Sequence, residues 1–226
     1  MIICAADFKS QLYGQLARLT KALASPRRLE LVDLLAQRER TVEELALLTA
    51  MSVANTSRHL QALRAARLVM VRRAGLHAHY RLADGGVFEL WQAVRDLGER
   101  RLATMRELVS AHFEGRGALE PVKIPELLDR LHSGAAVLVD ARPEDEFLAG
   151  HIAGAVNVPV EEMEARLHVL PMDQEVIAYC RGPYCAFADR AVEILRANGY
   201  RARRLSLGFP DWRAAGLPVD SAGAGS

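Results

Sequence analysis

The sequence predicts two domains, a mainly helical one followed by an α/β one, and three observations predict it. Charge divides along the chain. Residues 1–118 carry 18 Lys and Arg against 12 Asp and Glu, whereas residues 119–226 carry 11 against 16, so the whole-chain balance of +1 hides a basic half and an acidic half. Apolar residues of the basic half recur every three or four positions, as on helix faces, while the acidic half contains short β-branched runs such as Val137-Leu138-Val139 and Val176-Ile177-Ala178-Tyr179. Between them Glu114-Gly115-Arg116-Gly117-Ala118-Leu119-Glu120-Pro121 reads as a short linker with two glycines. The expected organisation is therefore a domain over 1–113, a linker over 114–121, a domain over 122–220 and a disordered tail of small residues over 221–226.

In the first domain Phe8, Leu12, Leu16, Leu19 and Leu23 form one helix face. Ser25-Pro26 opens a second helix through Leu29, Leu31, Leu34 and Leu35, with Ser as N-cap and Pro at the first position. Thr41-Val42-Glu43-Glu44 is a capping box that starts a short third helix, Leu45 to Thr49, and Ala50-Met51 make a turn. Ser52 caps a fourth helix, with Val53, Leu60 and Leu63 facing inward and Asn55, Thr56, Arg58, His59, Gln61 and Arg64 outside. Two short helices joined by a tight turn, the second with a polar outer face, make a helix-turn-helix. Leu68–Arg73 and His77–Leu82 read as a hairpin around Ala74-Gly75-Leu76, the wing of a winged helix, with Arg72, Arg73, His77, His79 and Arg81 available to phosphates. Asp84 caps a long final helix carrying Val87, Leu90, Trp91, Val94, Leu97, Leu102, Met105 and Leu108 on one stripe, too long for one small domain to bury alone.

This pattern points to double-stranded operator DNA. The expected base readers are Asn55, Thr56, Arg58, His59 and Gln61, with phosphate contacts from Ser52, Arg72, Arg73 and His77. The plainer alternative makes Arg58 and Arg64 ordinary solvated charges and His59 a partly buried histidine. The order of elements, with Leu-Ala-Ser-Pro-Arg-Arg-Leu-Glu-Leu at 23–31 and Ser-Arg-His-Leu-Gln-Ala-Leu at 57–63, resembles the ArsR/SmtB family of bacterial transcriptional repressors over roughly residues 8–110. The resemblance implies a homodimer with its fourth helix in the major groove and its hairpin on the flanking backbone. Many family members sense metal through Cys-x-Cys on the third helix, and no cysteine stands there in this chain. His112, with Asp96, Glu99 and Glu107 nearby in sequence, reads as solvated surface, and Cys4 as an incidental thiol in the N-terminal segment. No metal and no cofactor is expected.

In the second domain the strand Val176–Tyr179 runs into Cys180-Arg181-Gly182-Pro183-Tyr184-Cys185 and then a helix from Ala186 to Ala197, stopped by Asn198-Gly199. A strand feeding a tight loop that opens a helix aims backbone N–H groups at one spot, where they favour a thiolate or persulfide at Cys180. The alternative is a buried structural cysteine. Upstream stand Asp140-Ala141-Arg142-Pro143-Glu144-Asp145-Glu146-Phe147 and Gly150-His151-Ile152-Ala153-Gly154-Ala155-Val156-Asn157-Val158-Pro159. Downstream stand Gly208-Phe209-Pro210-Asp211-Trp212 and Gly216-Leu217-Pro218-Val219. These blocks, around the Cys180 loop, resemble the rhodanese (sulfurtransferase) domain over roughly residues 120–220. The resemblance implies an α/β domain with a central, mostly parallel sheet, Cys180 as the catalytic cysteine and Arg181, Gly182, Pro183, Tyr184 and Cys185 as the loop that holds its persulfide. Ala186 stands where phosphatases of this fold need arginine, which disfavours phosphoryl chemistry. Cys185 is either a resolving thiol that closes a disulfide or polysulfide with Cys180, or a small residue packing at the helix start. Arg181 is read as an anion-holding charge at the mouth of the loop. Asp140, Arg142 and His151 are taken as structural, and Trp212 as core.

The fusion suggests a regulator, in the repressor sense, whose DNA affinity responds to sulfane sulfur or thiol redox state at Cys180, with thiosulfate, polysulfide or a persulfide as the small donor. Two alternatives stand beside it. One is a thiosulfate-type sulfurtransferase with an accessory DNA-binding domain. The other is a soft metalloid sensor using Cys180 and Cys185. With no visible signal peptide and no apolar run near the roughly 18 residues of a membrane helix, a soluble, cytoplasmic protein that does not meet the membrane is expected.

Overall fold

The computed structural model describes residues 5–113 and 121–221, without the side chains of residues 5, 6, 112 and 113. Cys4, the His112 side chain, linker positions 114–120 and tail positions 222–226 lie outside the described residues. The chain forms two compact units, residues 1–94 and 95–226.

The first unit is built from α1 (Ala5–Leu23), α2 (Pro26–Gln37), β1 (Arg40–Thr41), α3 (Val42–Leu48), α4 (Val53–Ala65), β2 (Val69–Ala74), β3 (His77–Leu82) and the start of α5 (Gly85–Arg101). The capping box is present as the sequence predicts. Thr41 Oγ1 accepts from the Glu44 N–H at 3.2 Å, and Glu44 Oε2 accepts from the Thr41 N–H at 2.6 Å. Ser52 caps α4 by accepting from the Asn55 N–H at 3.2 Å. Leu31, Leu45, Leu60 and Leu63 are fully buried and tie α2, α3 and α4 together. The hairpin turns at Gly75, whose φ of 59° lies in the left-handed region that glycine adopts without strain. It gains a strand that the sequence reading lacked: β1 pairs with β3 in a three-stranded antiparallel sheet of order β1-β3-β2. The face of α1 behaves differently from its prediction, because only Leu23 is buried while Phe8, Leu12 and Leu16 are about half exposed.

The long final helix of the sequence reading is two helices. α5 ends at Arg101, Leu102 is non-helical, and α6 runs over Ala103–Phe113. The second unit, which takes α5 from Arg95, continues with α7 (Ile124–His132), β4 (Ala136–Asp140), α8 (Glu144–Ala149), β5 (His151–Ile152) and β6 (Val156–Asn157). Then come β7 (Glu175–Tyr179), α9 (Phe187–Ala197), β8 (Ala202–Arg204), α10 (Phe209–Ala214) and β9 (Val219–Asp220). The central sheet is parallel throughout, order β6-β4-β7-β8, and β5 pairs antiparallel with β9 beside it. Both faces of the sheet are covered, so its strands are apolar on both sides. On β7, Val176 and Ala178 pack with α9, while Ile177 and Tyr179 pack with Leu127 of α7 and Phe209 and Trp212 of α10. The loop after β7 therefore emerges at the carboxyl edge of the sheet, where α/β folds gather their sites. No helix among the described residues is long and apolar enough to cross a membrane.

Candidate functional site

Two groups of residues carry candidate chemistry, one in each unit. On α4, Ser52, Arg58, Gln61 and Arg64 are exposed and Asn55 and His59 half-buried, as an outer polar face requires. Burial, together with Arg28, Arg58 and Arg27, holds His59 below its ordinary value, so at neutral pH it presents an uncharged ring. Thr56 departs from expectation. It is fully buried and its Oγ1 donates to the Ser52 carbonyl at 3.1 Å, so it packs α4 rather than facing outward. Val53, expected inside, is exposed. On the hairpin Arg73 and His77 are exposed, while Arg72 pairs with Glu39 at 2.5 Å, which the sequence reading did not anticipate.

In the second unit Cys180 directly follows β7, and Phe187 begins α9. The loop between them is fixed from outside by α10. The Phe209 N–H donates to the Cys180 carbonyl at 3.1 Å. Gly208 lies flush on the Arg181–Gly182 peptide, where any Cβ would collide with the Arg181 carbonyl and the Gly182 nitrogen. Asp211 holds that helix start by accepting from the Gly208 N–H at 3.2 Å, and it pairs with Arg95 at 2.6 Å. The Gly208–Trp212 block is legible in the sequence, but its role in seating the loop is not.

Backbone N–H groups of Gly182 and Ala188 face the Cys180 sulfur, and those of Arg181 and Phe187 face Cys185, so loop and helix start converge on the two thiols. The charge distribution differs from expectation. Cys180 is 3% exposed and packs with Val139, Ala178 and Ala188; burial pushes its thiol well up, and a hydrogen bond to Cys185 adds to this. Its Sγ also lies 3.3 Å from the Cys185 carbonyl and 3.8 Å from the Gly182 carbonyl. Cys185 is the acidic partner: a hydrogen bond from Cys180 outweighs burial and brings it down to about 7. The first proton of the pair thus comes off near neutrality and belongs to the two thiols together.

Arg181 is also placed differently. It is not a free charge at the mouth but forms a two-pronged ion pair with Glu146, Nη2 at 2.6 Å and Nε at 3.0 Å, and stacks over Phe187 at 4.9 Å. Glu146 is fully buried. Its place in the 140–147 block was visible in the sequence, its partner was not. Tyr184 donates to Glu99 Oε1 at 2.6 Å. Asp140 and Arg142 form a buried pair at 2.6 Å, with Arg142 also donating to the Gly150 carbonyl at 2.8 Å. His151 stacks on Phe147, and its Nδ1 lies 2.9 Å from the Phe147 carbonyl, ordering its own turn. Trp212 is core, as read.

Comparison with known proteins adds to this geometry. The family model described as bacterial regulatory protein, arsR family, matches residues 25–71, and the one described as rhodanese-like domain matches residues 123–215. The chain is 44% identical over 216 residues to the HTH-type transcriptional regulator Rv0324 of Mycobacterium tuberculosis, spanning 95% of this chain and 94% of that protein. It is 33% identical over 104 residues to the human thiosulfate:glutathione sulfurtransferase, spanning 40% of this chain and 90% of that one. Among solved structures it is similar to the homodimeric winged helix-turn-helix DNA-binding domain, fragment 1–100, of Mb0332 from Mycobacterium bovis. That match has 41% identity, covers 46% of this chain and 95% of the other, and has a TM-score of 0.42.

Proposed function

The chain belongs to the ArsR family of helix-turn-helix transcriptional regulators, with a rhodanese-like domain in the same polypeptide, and from that premise we propose that it is a repressor whose grip on double-stranded operator DNA responds to sulfane sulfur accepted at Cys180. The observation that carries the reading is the Cys180–Cys185 thiol pair, joined by a hydrogen bond inside one amide-lined loop. Sulfur transfer begins with Cys180 attacking the outer sulfur of a donor R–S–SH. The donor's S–S bond breaks, a Cys180–S–SH persulfide forms, the electron pair leaves on RS⁻, and the Cys180 proton passes to the Cys185 thiolate. Once Cys185 has lost that proton again, it attacks the inner sulfur of the persulfide. The Cys180–Cys185 disulfide forms and HS⁻ departs, with no outside oxidant. Cys180 is 3% exposed at rest, so the donor reaches its sulfur only when the packing around it opens.

The DNA-binding form is a homodimer in this reading. The exposed apolar face of α1, with Phe8, Leu12 and Leu16, suits a two-fold mate. Base readout falls to Asn55, Arg58, His59 and Gln61, and phosphate contact to Ser52, Arg72, Arg73 and His77. A reducing compartment such as the cytoplasm keeps both thiols available. Coupling of about 1–3 kcal/mol between the two thiol states changes operator occupancy roughly 5- to 150-fold.

The test is DNA-binding titration at fixed salt of wild type, Cys180→Ser and Cys185→Ser, each with and without polysulfide. The expected result is a response in wild type that Cys180→Ser abolishes, with mass spectrometry locating added sulfur or a disulfide at the loop. A response that survives Cys180→Ser overturns the proposal. Thiosulfate-to-cyanide turnover that neither alters DNA affinity nor is altered by DNA favours a sulfurtransferase instead.

A further inference from the structure

We infer that Glu146, by binding the Arg181 guanidinium, sets the donor class of the Cys180 loop: it takes an organic hydropersulfide, R–S–SH, in preference to the dianion thiosulfate. The inference rests on the proposed role of Cys180 as sulfur acceptor and narrows what it accepts. A rhodanese-type loop offers two attractions to an anionic donor, its amides and any cation within it. In residues 180–185 the one cationic side chain is Arg181. Both prongs of that fork are turned onto Glu146 at 2.6–3.0 Å, and its plane lies over Phe187. Glu146 has no exposed surface, and the Arg181 side chain keeps 15% of its own. Such a pair is not opened by an incoming ion without stranding a buried carboxylate.

Arg181 and Glu146 therefore cancel at the loop, and Cys185 adds negative charge whenever it is ionised. Thiosulfate brings two further negative charges and leaves as sulfite, also a dianion, so it meets repulsion on arrival that no second cation within residues 180–185 offsets. A hydropersulfide arrives neutral or singly charged at its sulfur and leaves as a thiol or thiolate. Its transfer, RS–SH + Cys180–SH → RSH + Cys180–S–SH, conserves charge and needs no oxidant. The amides of Gly182 and Ala188 face the Cys180 sulfur that carries the new persulfide.

The experiment measures the rate of sulfur addition to Cys180 in the full-length protein by intact-mass spectrometry, with thiosulfate and with cysteine hydropersulfide as donors. Wild type is expected to accept from the hydropersulfide with the larger second-order rate constant. Glu146→Gln frees Arg181 and is expected to raise the thiosulfate rate on the order of tenfold while changing the hydropersulfide rate little. Because Glu146 is buried, the paired variant Glu146→Gln/Arg181→Gln serves as a second reading that leaves no unpaired charge. It is expected to keep the wild-type ratio of the two donors. A wild-type preference for thiosulfate, or a paired variant that loses thiosulfate transfer selectively, shows Arg181 to be the anion clamp and overturns the inference. Absence of sulfur on Cys180 from either donor instead defeats the acceptor role itself, so the two failures are distinct.

Discussion

Cys180 and Cys185 differ by environment rather than by kind. One sits against Val139, Ala178 and Ala188, where burial holds its proton on; the other receives a hydrogen bond from it and sheds its proton near pH 7. The donor of that hydrogen bond sets the acidity, which yields a direct prediction. In Cys180→Ala the Cys185 thiol is expected to titrate higher, toward its ordinary value of 9.0. Its alkylation by iodoacetamide, followed from pH 6 to 9, then shifts its midpoint upward by about one unit, the scale of one lost hydrogen bond. An unchanged midpoint means that the amides of Arg181 and Phe187 hold the thiolate unaided. The sequence located both thiols and the helix start that faces them, because a strand, a tight loop and a helix are written in local order. It did not show how the two thiols share a proton, since part of the burial of Cys180 comes from Val139 of β4, far away along the chain. Arg181 was misjudged for the same reason: Glu146 stands 35 residues away.

At the scale of elements, the signals that proved legible were those confined to one turn of chain. The Thr41–Glu44 box is closed on both sides, and Glu44 remains ionised further into acid than an ordinary carboxylate. Burial opposes this, but the Thr41 N–H and Arg38 outweigh it. Thr41→Ala is expected to cost about 1 kcal/mol of unfolding free energy in denaturant titration. The Glu44 share of stability is fully present above its unfolded value of 4.5 and is lost as pH falls through the lower folded value. The difference between wild type and Glu44→Gln should therefore shrink on acidification, and a difference that grows contradicts the assignment. Other elements left weaker traces. β1 is two residues long, too short for any periodicity, and exists because β3 offers it an edge. The break at Leu102 falls within an unbroken apolar stripe. Thr56 was placed outside on polarity alone. Its hydroxyl, returned to the carbonyl four residues back, lets it occupy the inward stripe with Leu60 and Leu63.

At the scale of the whole molecule, the basic half contains the arsR-family match at 25–71 and the acidic half the rhodanese-like match at 123–215, whereas the compact units divide earlier, between residues 94 and 95. The apolar face of α1 was readable as a helix stripe, but not its exposure. If a second copy covers it, Leu12→Glu/Leu16→Glu is expected to sediment as a monomer and to lose at least about tenfold in operator affinity. Its far-UV circular dichroism should change little, because both positions are about half exposed in the single chain. A double variant that remains dimeric places the two-fold contact elsewhere. Within the second unit, Gly208 acts through the side chain it lacks. With the Cys180 carbonyl bound to Phe209 and no room for even a methyl group between α10 and the Arg181–Gly182 peptide, the upstream post of the loop is nailed down. Any swelling of the site by an added sulfur atom must then be taken up downstream, toward Tyr184 and the carboxylate it holds. Chemistry at a nearly sealed atom thereby acquires a preferred direction of travel.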